Sequence, residues 1–200
     1  MNFLIEADKN LLIWLNAKHA QWLDGFMFAA TGTVFWMPFY FLLIYLFFKH
    51  LDNKAWLVLG CIGLTILVSD QLTSSLLKPL TERLRPSHEP SLDGIIHLFQ
   101  TESGKFYKGG KFGFPSSHAS NAFGVAVFTW LILRNQIGWI GLLTFPLALI
   151  ISYTRIYLGV HYPSDIIFGA ALGAALGFLC WKFIFRKTEH YFKTQAEGKQ

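Results

Sequence analysis

Thr154–Asp165 reads TRIYLGVHYPSD. One apolar run ends at Arg155, and His161 stands four residues before Asp165 at the mouth of the next apolar run. A spacing of four across a helical turn brings two side chains onto one face, so Asp165 can reach His161. A carboxylate on one imidazole nitrogen fixes the tautomer and leaves the other nitrogen's lone pair aimed outward. The stretch alone allows two readings: an activated nucleophile or base, or an interfacial histidine whose hydrogen bonds are satisfied. The rest of the chain decides between them.

An apolar fraction of 53% with 14% charged residues, over 200 residues, is too oily for an ordinary soluble domain and places the chain in a membrane as a single domain. The formal charge of +5 is carried at the ends of apolar runs, which suits a membrane surface and phosphates and gives no nucleic-acid signal. Cys61 and Cys180 each lie inside an apolar run without a CxxC partner and read as small buried hydrophobes, not as a metal site or disulfide. The opening MNFLIEADKN lacks a basic region and a cleavage site, so the first spanning helix is expected to insert the protein.

The runs predict an all-α, polytopic membrane helix bundle of about five spanning helices with an N-terminal interfacial helix, one domain over residues 1–200. Residues 1–23 are too densely charged to span, and Leu4, Leu11, Leu12 and Leu15 fall near one helical face. The spans are residues 26–48, with a kink near Gly32 and Pro38, then 54–77, 116–133, 137–154 and 163–185. Residues 79–115 form a long extramembrane loop, and a polar tail covers 187–200. In the second span Asp70, Ser74 and Lys78 follow at steps of four, a stripe that hydrocarbon would penalise unless it faces the bundle interior. In the fifth, Gly169, Gly173 and Gly177 make a ridge that lets another helix approach closely.

Counting spans puts the end of the second, the start of the third, the end of the fourth and the start of the fifth on one membrane face. Three polar clusters meet there. In KPLTERLRP, Lys78 and Arg85 flank six residues, and Pro86 holds Arg85 extended. PSSHAS, residues 115–120, opens a helix whose free amides and dipole attract an anion, with the Ser116 and Ser117 hydroxyls as further donors. Arg155, His161 and Asp165 complete the set. Guanidinium and ammonium groups match phosphate oxygens and offset charge that develops in a transition state. Lys49, Lys54, Arg134, Lys182, Arg186 and Lys187 read as topology signals that snorkel to headgroups.

K-x6-R-P, then P-S-x-H, then R-x5-H-x3-D, in this order and between spans, resembles the type 2 phosphatidic acid phosphatase family. The motifs cover residues 78–165, and the span pattern extends the likeness to nearly the whole chain. Ser117 stands where the family often has glycine, and Thr154 where a serine usually precedes the arginine. The resemblance implies that His161 is the nucleophile, that Asp165 orients it, and that His118 is the acid for the leaving oxygen and then the base for water. It implies that Lys78, Arg85, Ser116, Ser117 and Arg155 hold the phosphoryl oxygens, with no cofactor and no metal required. His88 and His97 are left as solvent or lid positions in the loop, and His19, His50 and His190 as interfacial ones.

The implied substrate is a lipid phosphate or diphosphate delivered at headgroup depth. DQLTSSLLKPL and KFGFPSSHAS resemble the undecaprenyl diphosphate phosphatases, which makes that lipid the first expectation. Phosphatidylglycerophosphate, phosphatidate and lipid A phosphatases are the alternatives. A lipid phosphotransferase or a non-catalytic phospholipid-binding protein are alternatives of another class. Eight basic residues on the face opposite the site, against six on the site face once Lys78, Arg85 and Arg155 are set aside, favour a site on the periplasmic face of the inner membrane.

Overall fold

Two helices built for close approach hold the architecture together. In the computed structural model, which describes residues 2–188, α6 (Ser117–Leu133) and α8 (Pro163–Cys180) lie against one another along most of their length. The ridge Gly169, Gly173 and Gly177 makes this possible: a Cβ at these positions would run into the backbone oxygens of Ser116, Ser120 and Gly124. Gly124 returns the contact against the Gly173 oxygen. Small residues at four-residue spacing let backbones approach where lipid offers no hydrophobic drive.

Among the described residues six further α-helices surround this pair. They are α1 (Asn2–Asn16), α2 (Gln21–Ala30), α3 (Met37–Leu51), α4 (Lys54–Asp70), α5 (Lys78–Thr81) and α7 (Thr144–Tyr157). A wide π-helical segment, Gln71–Leu77, joins α4 to α5 without a break. There the Thr73 hydroxyl bonds back to the Ser69 carbonyl at 2.8 Å, which competes with the regular ladder. No strand forms among the described residues; two isolated antiparallel bridges, Leu84 with Phe112 and Gln100 with Phe106, brace the long loop.

Among the described residues three helical stretches are long and apolar enough to cross a membrane: Val34–Leu51, Lys54–Thr81 and Pro163–Thr188. Ser117–Leu133 and Gly141–Tyr157 are shorter apolar helices. The run expected over 26–48 is divided, since α2 stops at Ala30 and a 3₁₀ turn at Val34–Trp36 leads into α3. The kink foreseen near Gly32 is therefore a full break, and Thr31 is left at the site end. The polar tail expected over 187–200 falls, apart from Lys187 and Thr188, outside the described residues, as does His190.

The interfacial helix differs from its sequence reading in which face it buries. Leu12 and Asn16 turn inward, while Phe3, Leu4, Leu11 and Trp14 stay exposed. The polar inward face has a cause. The Asn16 amide donates to the carbonyls of Ile156 and Tyr157, satisfying the end of α7, and its oxygen accepts the His97 N–H at 2.7 Å.

Candidate active site

Arg155 and His161 are fixed by one tight turn. α7 ends at Tyr157, and Gly159 takes a left-handed φ of 67°, as helix C-caps favour. The N–H groups of Val160 and His161 then fold back onto the Arg155 carbonyl at 3.0 and 3.2 Å. A Cβ at Gly159 would meet the His97 oxygen at 2.9 Å, so glycine is required for space as well as conformation. The next helix starts at once, with Pro163 at its first turn and the Asp165 carboxylate accepting the Tyr162 N–H at 3.0 Å. The same Oδ2 lies 3.2 Å from His161 Nδ1. Imidazole and carboxylate are 1% and 0% exposed.

With Asp165 on Nδ1, the proton sits there and Nε2 keeps its lone pair. Burial, then the nearby charges of Arg85, Arg155 and Lys78, hold the His161 pKa well below the ordinary histidine range. A buried neutral imidazole of this kind can add to phosphorus. His118, the second residue of α6, has an exposed ring that makes no hydrogen bond with the described residues.

The cations converge from three elements. Arg85 is held in an extended segment: its N–H bonds the Lys111 carbonyl at 3.0 Å and its Nε donates to the Phe112 carbonyl at 3.0 Å. The glycines of KGGKFGF make a saddle for this side chain. A Cβ on Gly109 would lie 2.7 Å from Arg85 Nη1, and one on Gly113 would lie 3.2 Å from its Cγ. Burial and the neighbouring Arg155 lower the Arg85 pKa from the usual guanidinium value. Arg155, 1% exposed, donates to the Thr31 hydroxyl and, at 3.1 Å, to the Tyr107 hydroxyl, while its Nε has no partner among the described residues. Lys78 reaches Ser117 Oγ at 2.6 Å. None of the three meets a carboxylate within ion-pair distance among the described residues. Buried or half-buried cations that share only neutral partners form a receptor for an anion.

The serines have more definite duties than the sequence suggests. Ser116 caps α6, its side chain accepting the Ala119 N–H at 3.4 Å, and its own N–H reaches the Asp165 carbonyl at 3.0 Å. Ser117 Oγ is a hub that accepts from Lys78 and lies in hydrogen-bond contact with the Thr73 hydroxyl at 2.8 Å. Asp70, Ser74 and Lys78 do form a hydrogen-bonded stripe, with Ser74 donating to Asp70 at 3.2 Å and accepting from Lys78 at 3.3 Å. Asp70, however, lies on the exposed side of the bundle and not on its interior, because Ser69 and Thr73 take the positions facing Ser120 and Ser117.

The sequence profile of the PAP2 superfamily matches residues 54–189. This chain belongs to the PAP2 superfamily. It is an integral membrane phosphatase. A lipid A 4'-phosphatase of Bacteroides thetaiotaomicron is 41% identical over 92% of this chain and 79% of its own length. A lipid A 4'-phosphatase of Porphyromonas gingivalis is 37% identical over 91% and 75%. The fold is also that of a transmembrane PAP2-type phosphatidylglycerolphosphate phosphatase from Bacillus subtilis, with a TM-score of 0.66 and 24% identity, covering 92% of this chain and 87% of that one.

Four residues of this PAP2 site escaped the motifs. Arg83 donates to Asp165 Oδ1 at 2.8 Å and to Asp8 at 2.6 Å, and Thr31 and Tyr107 flank Arg155. ERLR offers a faint signal for Arg83; Thr31, Tyr107 and Asp8 leave none in a single sequence. His97, read as a solvent or lid position, is half-buried, stacked on His19 and 3.1 Å from Asp24.

Proposed function

We propose that this phosphatase removes the 4'-phosphate of lipid A or a closely similar phosphorylated glycolipid, through a phosphohistidine on His161. What supports the substrate is that the likeness to two lipid A 4'-phosphatases runs over 92% and 91% of the chain. The undecaprenyl diphosphate suggested by two short stretches of sequence becomes the second reading, because relatives matched along nearly the whole chain carry the other name.

In the first step His161 Nε2 forms a bond to phosphorus in line with the departing sugar oxygen, and that P–O bond breaks. His118 gives the oxygen its proton. Lys78, Arg85 and Arg155 hold the non-bridging oxygens, whose charge their own lack of carboxylate partners leaves them free to meet. Ser117 steadies Lys78, and the amides at the start of α6, set by the Ser116 cap, complete the cradle. In the second step His118 takes a proton from water, the hydroxide adds to phosphorus, and the P–N bond breaks with its electron pair returning to His161. Phosphate leaves. Asp165 keeps the Nδ1 proton in place and balances the imidazolium throughout.

We further propose that all five apolar segments span, with α1 at the interface, as a single domain. At 17 residues and about 1.5 Å per residue the two shorter helices reach about 26 Å, a little under a hydrocarbon core of about 30 Å. Their site ends are sheltered by the loop of residues 79–115, so the deficit falls where protein replaces lipid. The site then opens on the periplasmic face of the inner membrane.

The test is phosphate release by the purified, detergent-solubilised protein in excess EDTA, from bisphosphorylated lipid A, undecaprenyl diphosphate, phosphatidylglycerophosphate and phosphatidate, with His161→Ala as the blank. Preferred turnover of lipid A, with mass spectrometry placing the remaining phosphate at position 1, is expected. Faster turnover of undecaprenyl diphosphate would overturn the substrate assignment and leave the chemistry standing.

A further inference from the structure

Arg83 and Asp8 hold no place in the reaction just described, yet a continuous chain of polar contacts leads from them to His161. Asp165 is the middle of that chain. Its Oδ2 serves His161 Nδ1 and the Tyr162 N–H; its Oδ1 accepts from Arg83 Nη1 at 2.8 Å. The same nitrogen donates to the Ser164 hydroxyl at 2.7 Å, and Arg83 Nη2 donates to Asp8 Oδ2 at 2.6 Å. Asp8 closes the ring by accepting the Ser164 N–H at 2.9 Å and the Ser164 hydroxyl. The guanidinium also lies over the Tyr162 ring, 4.2 Å from its centroid.

Arg83 and Arg85 are two residues apart and have different partners. Arg85 meets no carboxylate among the described residues, whereas both terminal nitrogens of Arg83 are committed to one. Three of the five N–H groups of this guanidinium are engaged on Asp165, Ser164 and Asp8. So engaged, it can hold a carboxylate plane. A carboxylate tied only through Oδ2 is free to turn about its last torsion, and the imidazole it holds turns with it. An arginine on Oδ1 removes that freedom, and Asp8, brought by α1, removes it from the arginine.

Resting on the reading of His161 as the nucleophile, we infer that Arg83 and Asp8 are positioning residues that hold the Asp165 carboxylate and, through it, aim the His161 imidazole, making α1 part of the assembled active site. Asp165 on α8 touches His161, and the charged and titratable groups whose fields reach it are Arg155 on α7, His118 on α6, Lys78 on α5 and Arg85 in the loop. All five are retained in the variants below.

The experiment measures kcat, KM and the pH profile of kcat/KM on the lipid that the wild type turns over, together with competitive inhibition by inorganic phosphate. The variants are Arg83→Ala, Arg83→Lys, Asp8→Ala, the Asp8→Ala/Arg83→Ala double and His161→Ala. Arg83→Ala is expected to lower kcat on the order of 10–100-fold, the scale typical of removing a partner behind a functional ligand. KM and phosphate inhibition stay within about twofold, because the anion receptor is intact. The acid limb moves to higher pH, since an Asp165 relieved of its cation makes the imidazole more basic. Arg83→Lys restores part of kcat. Asp8→Ala loses less than Arg83→Ala, and the double variant loses less than the product of the two, as groups acting through one partner do.

Wild-type kcat and pH profile in Arg83→Ala would overturn the inference. So would a fall in kcat matched by equally weakened phosphate inhibition and a lower melting temperature, with the pH profile unmoved. If His161→Ala is inactive while Arg83→Ala is unchanged, only the positioning role fails. If His161→Ala turns over like the wild type, the nucleophile reading fails and takes this one with it.

Discussion

The two ends of the bundle are built on opposite principles. Away from His161, Phe47, Val58, Phe128, Leu133 and Phe185 bury apolar surface together, with the two free cysteines among them and the Cys180 thiol 3.5 Å from the Cys61 carbonyl. At the site end the residues that are buried include Ser69, Thr73, Ser117, Arg155, His161 and Asp165. The first end is held by close packing that any well-fitting set of apolar side chains could supply. The second is held by hydrogen bonds of fixed direction, and it keeps three cations without acidic partners at ion-pair distance among the described residues. That arrangement costs stability and creates affinity for an anion. One end of the molecule serves the fold, and the other spends part of that stability on the reaction.

Substitutions at the two ends should therefore separate activity from stability. His161→Ala is expected to lower turnover by about 10⁴-fold or more, equivalent to about 5.5 kcal/mol in the barrier, while the melting temperature in detergent falls little. Full turnover would remove His161 from the chemistry. Phe128→Ala, at the apolar end, should cost about 3 kcal/mol of stability, since a fully buried ring packed edge-on to Phe185 leaves a cavity, with kcat of the folded enzyme unchanged. A large fall in kcat at full occupancy of the folded state would show that the two ends are coupled.

Gly173→Ala probes the joint between them. Its methyl would strike the Ser120 carbonyl, so α6 and α8 must separate, at about 1–3 kcal/mol and with a measurable loss of activity, because these helices carry His118 and Asp165. Acid distinguishes the ends as well. His161 has a lowered pKa when folded, so below its ordinary value near 6.5 the unfolded chain binds a proton that the folded one refuses. Stability is full above that pH and declines as pH falls below it; the decline should be weaker in His161→Ala, as thermal melting across pH would show. The smallest effect belongs to Glu82, a non-glycine residue at φ 47° and exposed. Glu82→Gly should raise stability by about 0.5 kcal/mol, the relieved left-handed strain less the added freedom of the unfolded chain, with kcat unchanged.

The motif residues were legible because each rests on local spacing. His161 and Asp165 are one helical turn apart, Ser116 opens a helix, and Lys78 closes one. The order of the apolar runs placed those points at one end of the bundle, where Lys78 meets Ser117. Arg83 was not legible as a partner of Asp165, because sequence cannot tell two arginines in ERLR apart: the distinction is made by which of them lies beside the start of α8. Asp8 was further from reach, since it meets Ser164 across 156 residues of chain. For Asp70, polarity within an apolar run argued for an inward orientation, and the actual inward positions went to Ser69, at the end of α4, and Thr73, in the π-helical segment, whose hydroxyls meet Ser120 and Ser117 on α6.

By itself the sequence determined the all-helical membrane character, the motif set and the ridge of small residues, because apolar runs, i to i+4 pairs and helix starts are properties of neighbouring residues. Only the tertiary structure decided which face of α1 turns inward, where the first apolar run breaks, and that Arg83 serves a carboxylate while Arg85 and Arg155 await an anion. Those outcomes depend on which long-range partner satisfies each buried polar group, and that is settled by the packing of helices far apart in the chain.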